Sequence, residues 1–247
     1  MRVMSDMRGK SVLVTGAARR LGRSMALAFA QAGADVAITY RTSERDARDT
    51  LAALKSKGVR ALAIRADVRS ESEMADAVDQ VVGGFGGLDV LVNNAAVYET
   101  VQFEDITLEQ WDRMFDTNTR GPFLATRVAA PALRKRKGRV INIGSLGGIR
   151  PWSTHAHYCA SKAALVMLTQ AMAKALAPEI AVNCVAPGMI CTGDISNDEF
   201  ATKIAAKTPM KRAGSPEDVN EAVLFLASST HFITGQVFAV DGGLGLE

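Results

Sequence analysis

Cysteine is scarce in this chain. Three residues, Cys159, Cys184 and Cys191, make an odd number with no C-x-x-C spacing, which argues against a disulfide framework and a cysteine-held zinc site. Cys159 and Cys184 fall in strongly patterned segments, where a thiol acts as a small buried apolar group. Long apolar runs are also missing. The opening MRVMSDMRGK has no secretory apolar region, and no stretch approaches a membrane span, so a reducing, cytoplasmic setting without a membrane partner is expected. Charge of one sign is lacking: 29 basic against 26 acidic residues leave a formal +3, too mild to call for nucleic acid. Repeats, low-complexity tracts and charged linkers are absent, so a single domain over 1–247 is expected. At 247 residues and 48% hydrophobic, the chain is large enough to bury a substantial core.

What is present is an alternation. Short β-branched runs at 11–15, 35–39, 60–65, 88–92, 139–143, 180–185 and 236–240 alternate with helical stretches near 20–32, 43–57, 70–83, 107–116, 121–136, 157–177 and 216–228. Most of the short runs are almost continuously apolar, as parallel strands covered on both faces are. Helix starts are signalled by Ser70-x-x-Glu73 and by Ser215-Pro216-Glu217. The pattern predicts an α/β fold: one doubly wound, Rossmann-type, parallel seven-stranded sheet with helices on both faces. Ligands of such sheets bind beyond the C-terminal strand ends, and the motifs cluster there.

The first strand runs into Thr15-Gly16-Ala17-Ala18-Arg19-Arg20-Leu21-Gly22. Gly16 permits a tight turn, Ala17 and Ala18 let backbone N–H groups approach an anion, and Gly22 allows close packing of helix on strand. Arg19 and Arg20 oppose the helix dipole, so they are poorly placed without an anion to meet. The second strand ends in Tyr40-Arg41-Thr42-Ser43, a cation and two hydroxyls where a 2′-phosphate would sit, instead of the carboxylate that accepts free ribose hydroxyls. Glu44 and Asp46 belong to the following helix. After the third strand comes Asp67-Val68, which by residue type reads as a helix cap. The fourth strand ends in Asn93-Asn94-Ala95-Ala96, amides that satisfy backbone groups where the strand stops and alanines that let a ribose pass.

Tyr158 and Lys162 stand at i, i+4 on one helix face. A neighbouring ammonium stabilises a phenolate and turns a sluggish acid into a useful one. Ser145 follows the fifth strand, Asn118 precedes a helix, and Pro187-Gly188 with Ile190 and Thr192 follows the sixth strand.

Taken in order along nearly the whole chain, these motifs resemble the short-chain dehydrogenase/reductase family. Its T-G-x-x-x-G-x-G signature matches 15–22, with Arg20 in place of the middle glycine, and its N-N-A-G matches 93–96, with Ala96 in place of glycine. The resemblance implies catalytic Asn118, Ser145, Tyr158 and Lys162. It implies cofactor contacts from Gly16, Arg19, Arg20, Leu21, Gly22, Arg41, Thr42, Ser43, Asp67, Val68, Asn94, Ala95, Tyr158, Lys162, Pro187, Gly188, Ile190 and Thr192. It further implies NADP(H) as cofactor, a small-molecule carbonyl substrate, Asn118 holding a water that passes protons to Lys162, and a homotetramer. Helix 157–177, rich in small residues at Ala163, Ala164, Ala171, Ala173 and Ala175, suits such packing. Within that family, the chain resembles 3-oxoacyl-(acyl-carrier-protein) reductases. The cluster Arg134-Lys135-Arg136-Lys137 with Arg139 is then either a solvated, dipole-compensating helix end or a dock for the acidic carrier, although Pro178-Glu179 stands where such enzymes carry a second basic residue. Arg20, Arg150-Pro151, His157-Tyr158-Cys159 and the KAALVMLT stretch point to a pteridine reductase instead, against which Ser145 counts. A non-catalytic dinucleotide-sensing scaffold is the third reading. His155 and His157 lack a ligand cluster for zinc and are expected to line or rim the site, with Trp152, Tyr98, Met189 and Phe200 as further pocket candidates. The segment 189–212 reads as loop with a short helix over the substrate.

Overall fold

The computed structural model describes residues 6–192 and 198–246, with only the backbone at 198–201 and 204. Seven strands, β1 (Ser11–Val14), β2 (Asp35–Tyr40), β3 (Ala61–Arg65), β4 (Val90–Asn93), β5 (Arg139–Ile143), β6 (Ala181–Pro187) and β7 (Val237–Val240), form one parallel sheet in the order 3-2-1-4-5-6-7. The helices between them are α1 (Arg20–Gln31), α2 (Glu44–Lys55), α3 (Glu71–Phe85), α4 (Leu108–Phe115), α5 (Gly121–Arg136), α6 (Ala156–Leu176), α7 (Asp198–Lys207) and α8 (Pro216–Ser228). The doubly wound seven-stranded sheet expected from the sequence is therefore present.

The apolar runs work as double-sided strands. In β1, Val12 and Val14 join one buried cluster and Leu13 the other; in β4, Val90 and Val92 face one way and Leu91 the other. Period-2 alternation within an all-apolar segment builds two cores from one strand. The strand order reverses between β1 and β4, because the chain winds outward through β2 and β3 and then returns. That switch point opens a crevice at the C-terminal ends of β1 and β4.

Several boundaries differ for identifiable reasons. β6 runs on to Pro187, which pairs with Val240, so Pro187 ends a strand instead of following one. β4 includes Asn93, whose amide donates to Thr126 Oγ1 at 3.1 Å and Asn142 Oδ1 at 2.8 Å. Asn93 therefore satisfies side chains, not strand-end backbone. Glu73 does not close the expected box on Ser70; its carboxylate accepts from Asp67 N at 2.9 Å, while Ser70 Oγ accepts from Glu73 N. At Ser215 the reciprocal cap is complete, with Asp218 as the partner. Cys184 is fully buried but Cys159 is only half-buried. Among the described residues no helix is long and apolar enough to cross a membrane, and no cluster of His, Cys, Asp and Glu could hold a metal ion.

The basic cluster closes α5 at the N-terminal ends of the strands, away from the crevice at their C-terminal ends. Arg139 is the first residue of β5, level with Val90 and Ala181. Arg136 donates to Gly86 O at 2.6 Å, at the C-terminal end of α3, and Lys137 takes the left-handed conformation that ends α5. The helix-end reading accounts for these residues, and the cluster does not border the crevice.

Candidate active site

The turn after β1 is built by contacts on every side. Gly16 has φ +62, and a Cβ there would lie 2.7 Å from Ala95 Cα. The β1 loop and the end of β4 thus touch backbone to backbone. Thr15 ties the two together: its Oγ1 accepts from Asn94 N at 3.0 Å and Ala95 N at 3.1 Å. Asn94 Nδ2 returns to Thr15 O at 2.9 Å and Gly16 O at 3.0 Å. Asn94 is the strand-end amide that the sequence pattern calls for. Gly22 underlies this latch, since a Cβ there would sit 2.5 Å from Asn94 Nδ2. Gly16→Ala combines a left-handed φ with a backbone clash and is expected to destabilise the fold by about 1–3 kcal/mol and to abolish dinucleotide binding. Melting temperature and fluorescence titration with NADPH check this.

Beside that turn runs a groove lined by Gly16, Arg19, Arg41, Thr42, Ser43 and Asp67, among others, closing at Val68 and Ala95. The lining brings together the guanidinium groups of Arg19 and Arg41 and the hydroxyls of Thr42 and Ser43. The first turn of α1 contains no acidic residue and Arg19 makes no side-chain cap, while Ser43, at the N-cap of α2, also makes no side-chain cap hydrogen bond. Helix N-termini with uncapped donors are suited to phosphate. Asp67 is held by Arg69, which lowers its pKa from the usual carboxylate value, and lies 3.9 Å from Arg41. It is therefore neither a free acceptor nor the cap of α3, a task taken by Ser70.

Not every residue of the expected cofactor set meets in this groove. Arg20 is absent from its lining and instead adopts φ +53, the left-handed turn for which glycine is suited. Leu21 packs against the core. Pro187 ends β6, and Gly188, Ile190 and Thr192 lie beyond it; Gly188 abuts Asp241, and Ile190 bridges to Gly214. Met189 lines a second groove with Thr208 and Met210, and Phe200 lies outside the side chains described. Thr15, Thr39, whose Oγ1 accepts from Gly16 N, and Thr117, in the groove wall, are site residues that the sequence reading missed. Their only signal is position beside a strand end.

Along the crevice, Ser145, Tyr158 and Lys162 come together. Ser145 starts a tight 3-10 turn at Leu146–Gly148, and its Oγ accepts from Gly147 N at 3.1 Å. Gly148 packs against the backbone of Lys162, where a Cβ would meet it at 2.7 Å. This close approach fixes the Ser145 turn on α6. Lys162 is buried and its Nζ donates to Ile143 O at 2.8 Å. Asn118 lies in a π-helical turn, Asp116–Arg120, a widening often found at functional sites. Its Oδ1 accepts from Val97 N at 2.9 Å, and its Nδ2 donates to Val97 O and to Ser161 Oγ at 3.1 Å. Asn118 thereby fastens the loop after β4 to the helix that carries Tyr158.

The electrostatics differ from the simple lysine–phenol expectation. Burial pushes the Tyr158 phenol up to about 12, against the nearby Ser145 hydroxyl, which lowers it. Burial likewise pulls Lys162 down to about 8. One of the three ammonium donors goes to Ile143 O, and the ammonium is itself poorly solvated, so it does not offset desolvation of the phenol. The lysine shift has a stability consequence. Because the folded pKa is depressed, the unfolded chain binds more protons between about pH 8 and 10.5, and the contribution of Lys162 to stability rises with pH through that window. The stability of the wild type relative to Lys162→Met is expected to increase between pH 7 and 10. A difference constant with pH in paired denaturant titrations would contradict it.

Aromatic rings wall the opening. Tyr98 meets Tyr158 edge-on with centroids 5.0 Å apart, and Trp152 lies nearly parallel to Tyr158 at 6.2 Å. His155 rims this opening, accepting or donating to Tyr98 Oη at 2.6 Å. His157 does not rim it: the side chain is fully buried.

A parallel sheet with a phosphate-suited turn at its switch point, a polar groove and a Ser–Tyr–Lys cluster defines a dinucleotide-binding oxidoreductase. Residues 16–245 match the family model described as enoyl-(acyl carrier protein) reductase. The chain is 40% identical over 240 residues to the 3-oxoacyl-(acyl-carrier-protein) reductase of Staphylococcus aureus, covering 95% of this chain and 98% of that one. It is 39% identical over 251 residues to 3beta-hydroxysteroid dehydrogenase 1 of Eggerthella lenta, covering 98% and 95%. Among solved structures, a putative short-chain alcohol dehydrogenase from Sinorhizobium meliloti superposes with a TM-score of 0.91 at 35% identity, covering 98% of each chain. A 7 alpha-hydroxysteroid dehydrogenase in complex with NADH and 7-oxo glycochenodeoxycholic acid also gives 0.91, at 31% identity, covering 97% of this chain and 96% of that one. The protein belongs to the short-chain dehydrogenase/reductase family and is an oxidoreductase of the kind that uses a nicotinamide dinucleotide.

Proposed function

We propose that this protein is an NADP(H)-dependent carbonyl reductase, acting on 3-oxoacyl thioesters or similar ketones, with Tyr158 as general acid. The observation that carries the reading is the meeting of Ser145, Tyr158 and Lys162 at the crevice of a dinucleotide fold. A bound nicotinamide supplies the hydride. Tyr158 gives its proton to the carbonyl oxygen as that oxygen gains charge, and Ser145 donates a hydrogen bond to the same oxygen and fixes its place. Lys162 replenishes the proton. Asn118 is saturated by protein on its amide nitrogen, so the second acceptor position of Oδ1 is the one left to hold a relaying water. Arg41, Thr42 and Ser43, with Arg19 across the groove, take the 2′-phosphate.

The relatives divide between acyl and steroid substrates, and the aromatic wall of Tyr98 and Trp152 supports a second reading, a flat cyclic carbonyl. A pterin is such a ring, but Ser145 suits a carbonyl oxygen better than a ring nitrogen. A panel of 3-oxoacyl thioesters, cyclic ketones and quinonoid dihydropterin, each with NADPH and NADH, separates these readings. Turnover of none of them returns the protein to the scaffold reading. If the substrate is carried on an acyl carrier protein, the carrier approaches the crevice edge and not the Arg134–Arg139 cluster.

A homotetramer is supported by two exposed apolar faces. Trp111, Phe123 and Met167 lie on α4, α5 and α6, while Phe225 and Phe232 lie near the edge strand β7. Uncovered apolar faces of this kind mark contacts between chains. Sedimentation at micromolar concentration is expected to give four chains, and a monomer would contradict it.

A further inference from the structure

The residue before Tyr158 has no role in this scheme, yet its surroundings are the least satisfied in the site. His157 is fully buried, and neither ring nitrogen has a partner. Its Nε2 faces Glu99 Oε2 at 3.8 Å, an oxygen that is also buried and unpartnered. The other carboxylate oxygen is paired with Arg113 of α4. Two buried groups that face each other and stay unsatisfied are costly, so the arrangement calls for an explanation. Glu99 lies between Tyr98 and Thr100, both of which reach His155 Nε2, at 2.6 and 3.0 Å. The backbone of this segment is anchored at Val97 to Asn118 and at Val101 to Thr154 O. Between those anchors, side chains hold it: His155 from the outside, Arg113 and the facing His157 from within.

We propose that His157 is a positioning residue for the substrate opening, closing onto Glu99 as the site fills and so setting Tyr98 against Tyr158. The proposal rests on the reading of Tyr158 as proton donor. Bringing 3.8 Å to a hydrogen bond takes a movement of about 1 Å, and bonds that are long in an empty site commonly tighten in the complex. No ionisation is needed, because a neutral imidazole carries one N–H and can donate it from Nε2. The charged and titratable groups around the ring are Glu99 on the loop after β4, Arg113 on α4 and His155 ahead of α6. Burial and the Arg113 charge push the pKa of His157 down, which keeps the neutral donor at pH 7. The ring of Tyr98 is the wall that moves, so a wide carbonyl feels the closure and a narrow one does not.

The test compares His157→Leu with His157→Gln in the full chain with NADPH, using ethyl acetoacetate as the narrow ketone and 1-decalone as the wide one. His157→Leu is expected to raise KM for 1-decalone about tenfold with kcat within about twofold, leaving ethyl acetoacetate little changed. His157→Gln, which keeps an N–H donor, stays near wild type. Equal losses in both variants, or an unchanged KM in His157→Leu, overturn the proposal. Glu99→Ala, which leaves the core ring in place, is expected to reproduce the KM change, and an unchanged KM there overturns the proposal even if His157→Leu fails to fold. Hydrogen exchange at residues 98–100 gives a readout separate from turnover. Loading with NADPH and 1-decalone is expected to slow it about tenfold in wild type and His157→Gln but not in His157→Leu. The same slowing in all three overturns the proposal whether or not either ketone is reduced.

Discussion

Tyr158→Phe is expected to lower the rate of ketone reduction by about 10²–10⁴-fold, the usual worth of a positioned general acid, while the dissociation constant for NADPH changes by less than about threefold. The substitution removes one oxygen and keeps the ring. The ring still meets Tyr98 edge-on and lies along Trp152, so the wall of the opening survives. The groove proposed for the dinucleotide is lined by Gly16, Arg19, Arg41 and their neighbours and does not include Tyr158, so binding has no reason to fail. The phenol is pushed up to about 12 by burial, which fits a group that holds its proton until an oxygen gains charge beside it. Removing the hydroxyl deletes one polar atom from a buried site, so the variant is expected to stay within about 1 kcal/mol of wild type in stability. Unchanged turnover would remove the acid role, and loss of NADPH binding together with turnover would show that the hydroxyl serves the cofactor as well as the proton transfer.

Arg41→Asp is the second large effect expected. Arg41 lies at the end of β2 beside Thr42 and the uncapped Ser43. Reversing its charge is expected to weaken NADPH by about 100-fold or more and to leave NADH within about fivefold, because a carboxylate there can accept ribose hydroxyls. The new carboxylate would also face Asp67, now 3.9 Å from the guanidinium, so some loss of affinity for both cofactors is built in. The ratio of the two, not either constant alone, is therefore the measurement that matters. Equal weakening of both cofactors would place the 2′-phosphate elsewhere, with Arg19 the next residue to change.

How much of this could be read from the chain differs from residue to residue. The seven strands were legible because an apolar run of four to seven residues can bury both faces only in a covered parallel sheet, and β1 and β4 do so. Gly16 and Gly22 were legible because each stands where a Cβ would strike a neighbouring strand end. The use of Asn93 was not legible: from sequence, an amide at a strand end is a turn residue, and only the register of β4 on β5 sets it opposite Asn142. The same holds for Thr15 and Thr39, whose hydroxyls bridge strands that are distant in sequence. His157 was misplaced because His155, at the N-cap of α6, does rim the opening, and two residues further on a helix the side chain has turned by about 200°. The balance between Tyr158 and Lys162 was beyond the sequence as well, since i, i+4 spacing gives proximity but not the Ile143 carbonyl that takes one ammonium donor.

The most direct measurement is the fate of the hydride. With NADPH carrying deuterium at the transferring C4 position and a 3-oxoacyl thioester or 1-decalone as substrate, mass spectrometry of the alcohol is predicted to show one deuterium on the carbinol carbon, with about 10²–10⁴-fold slower formation of the same labelled alcohol by Tyr158→Phe. An unlabelled alcohol, or no alcohol from any carbonyl tried while NADPH binds normally, would contradict carbonyl reduction at this site.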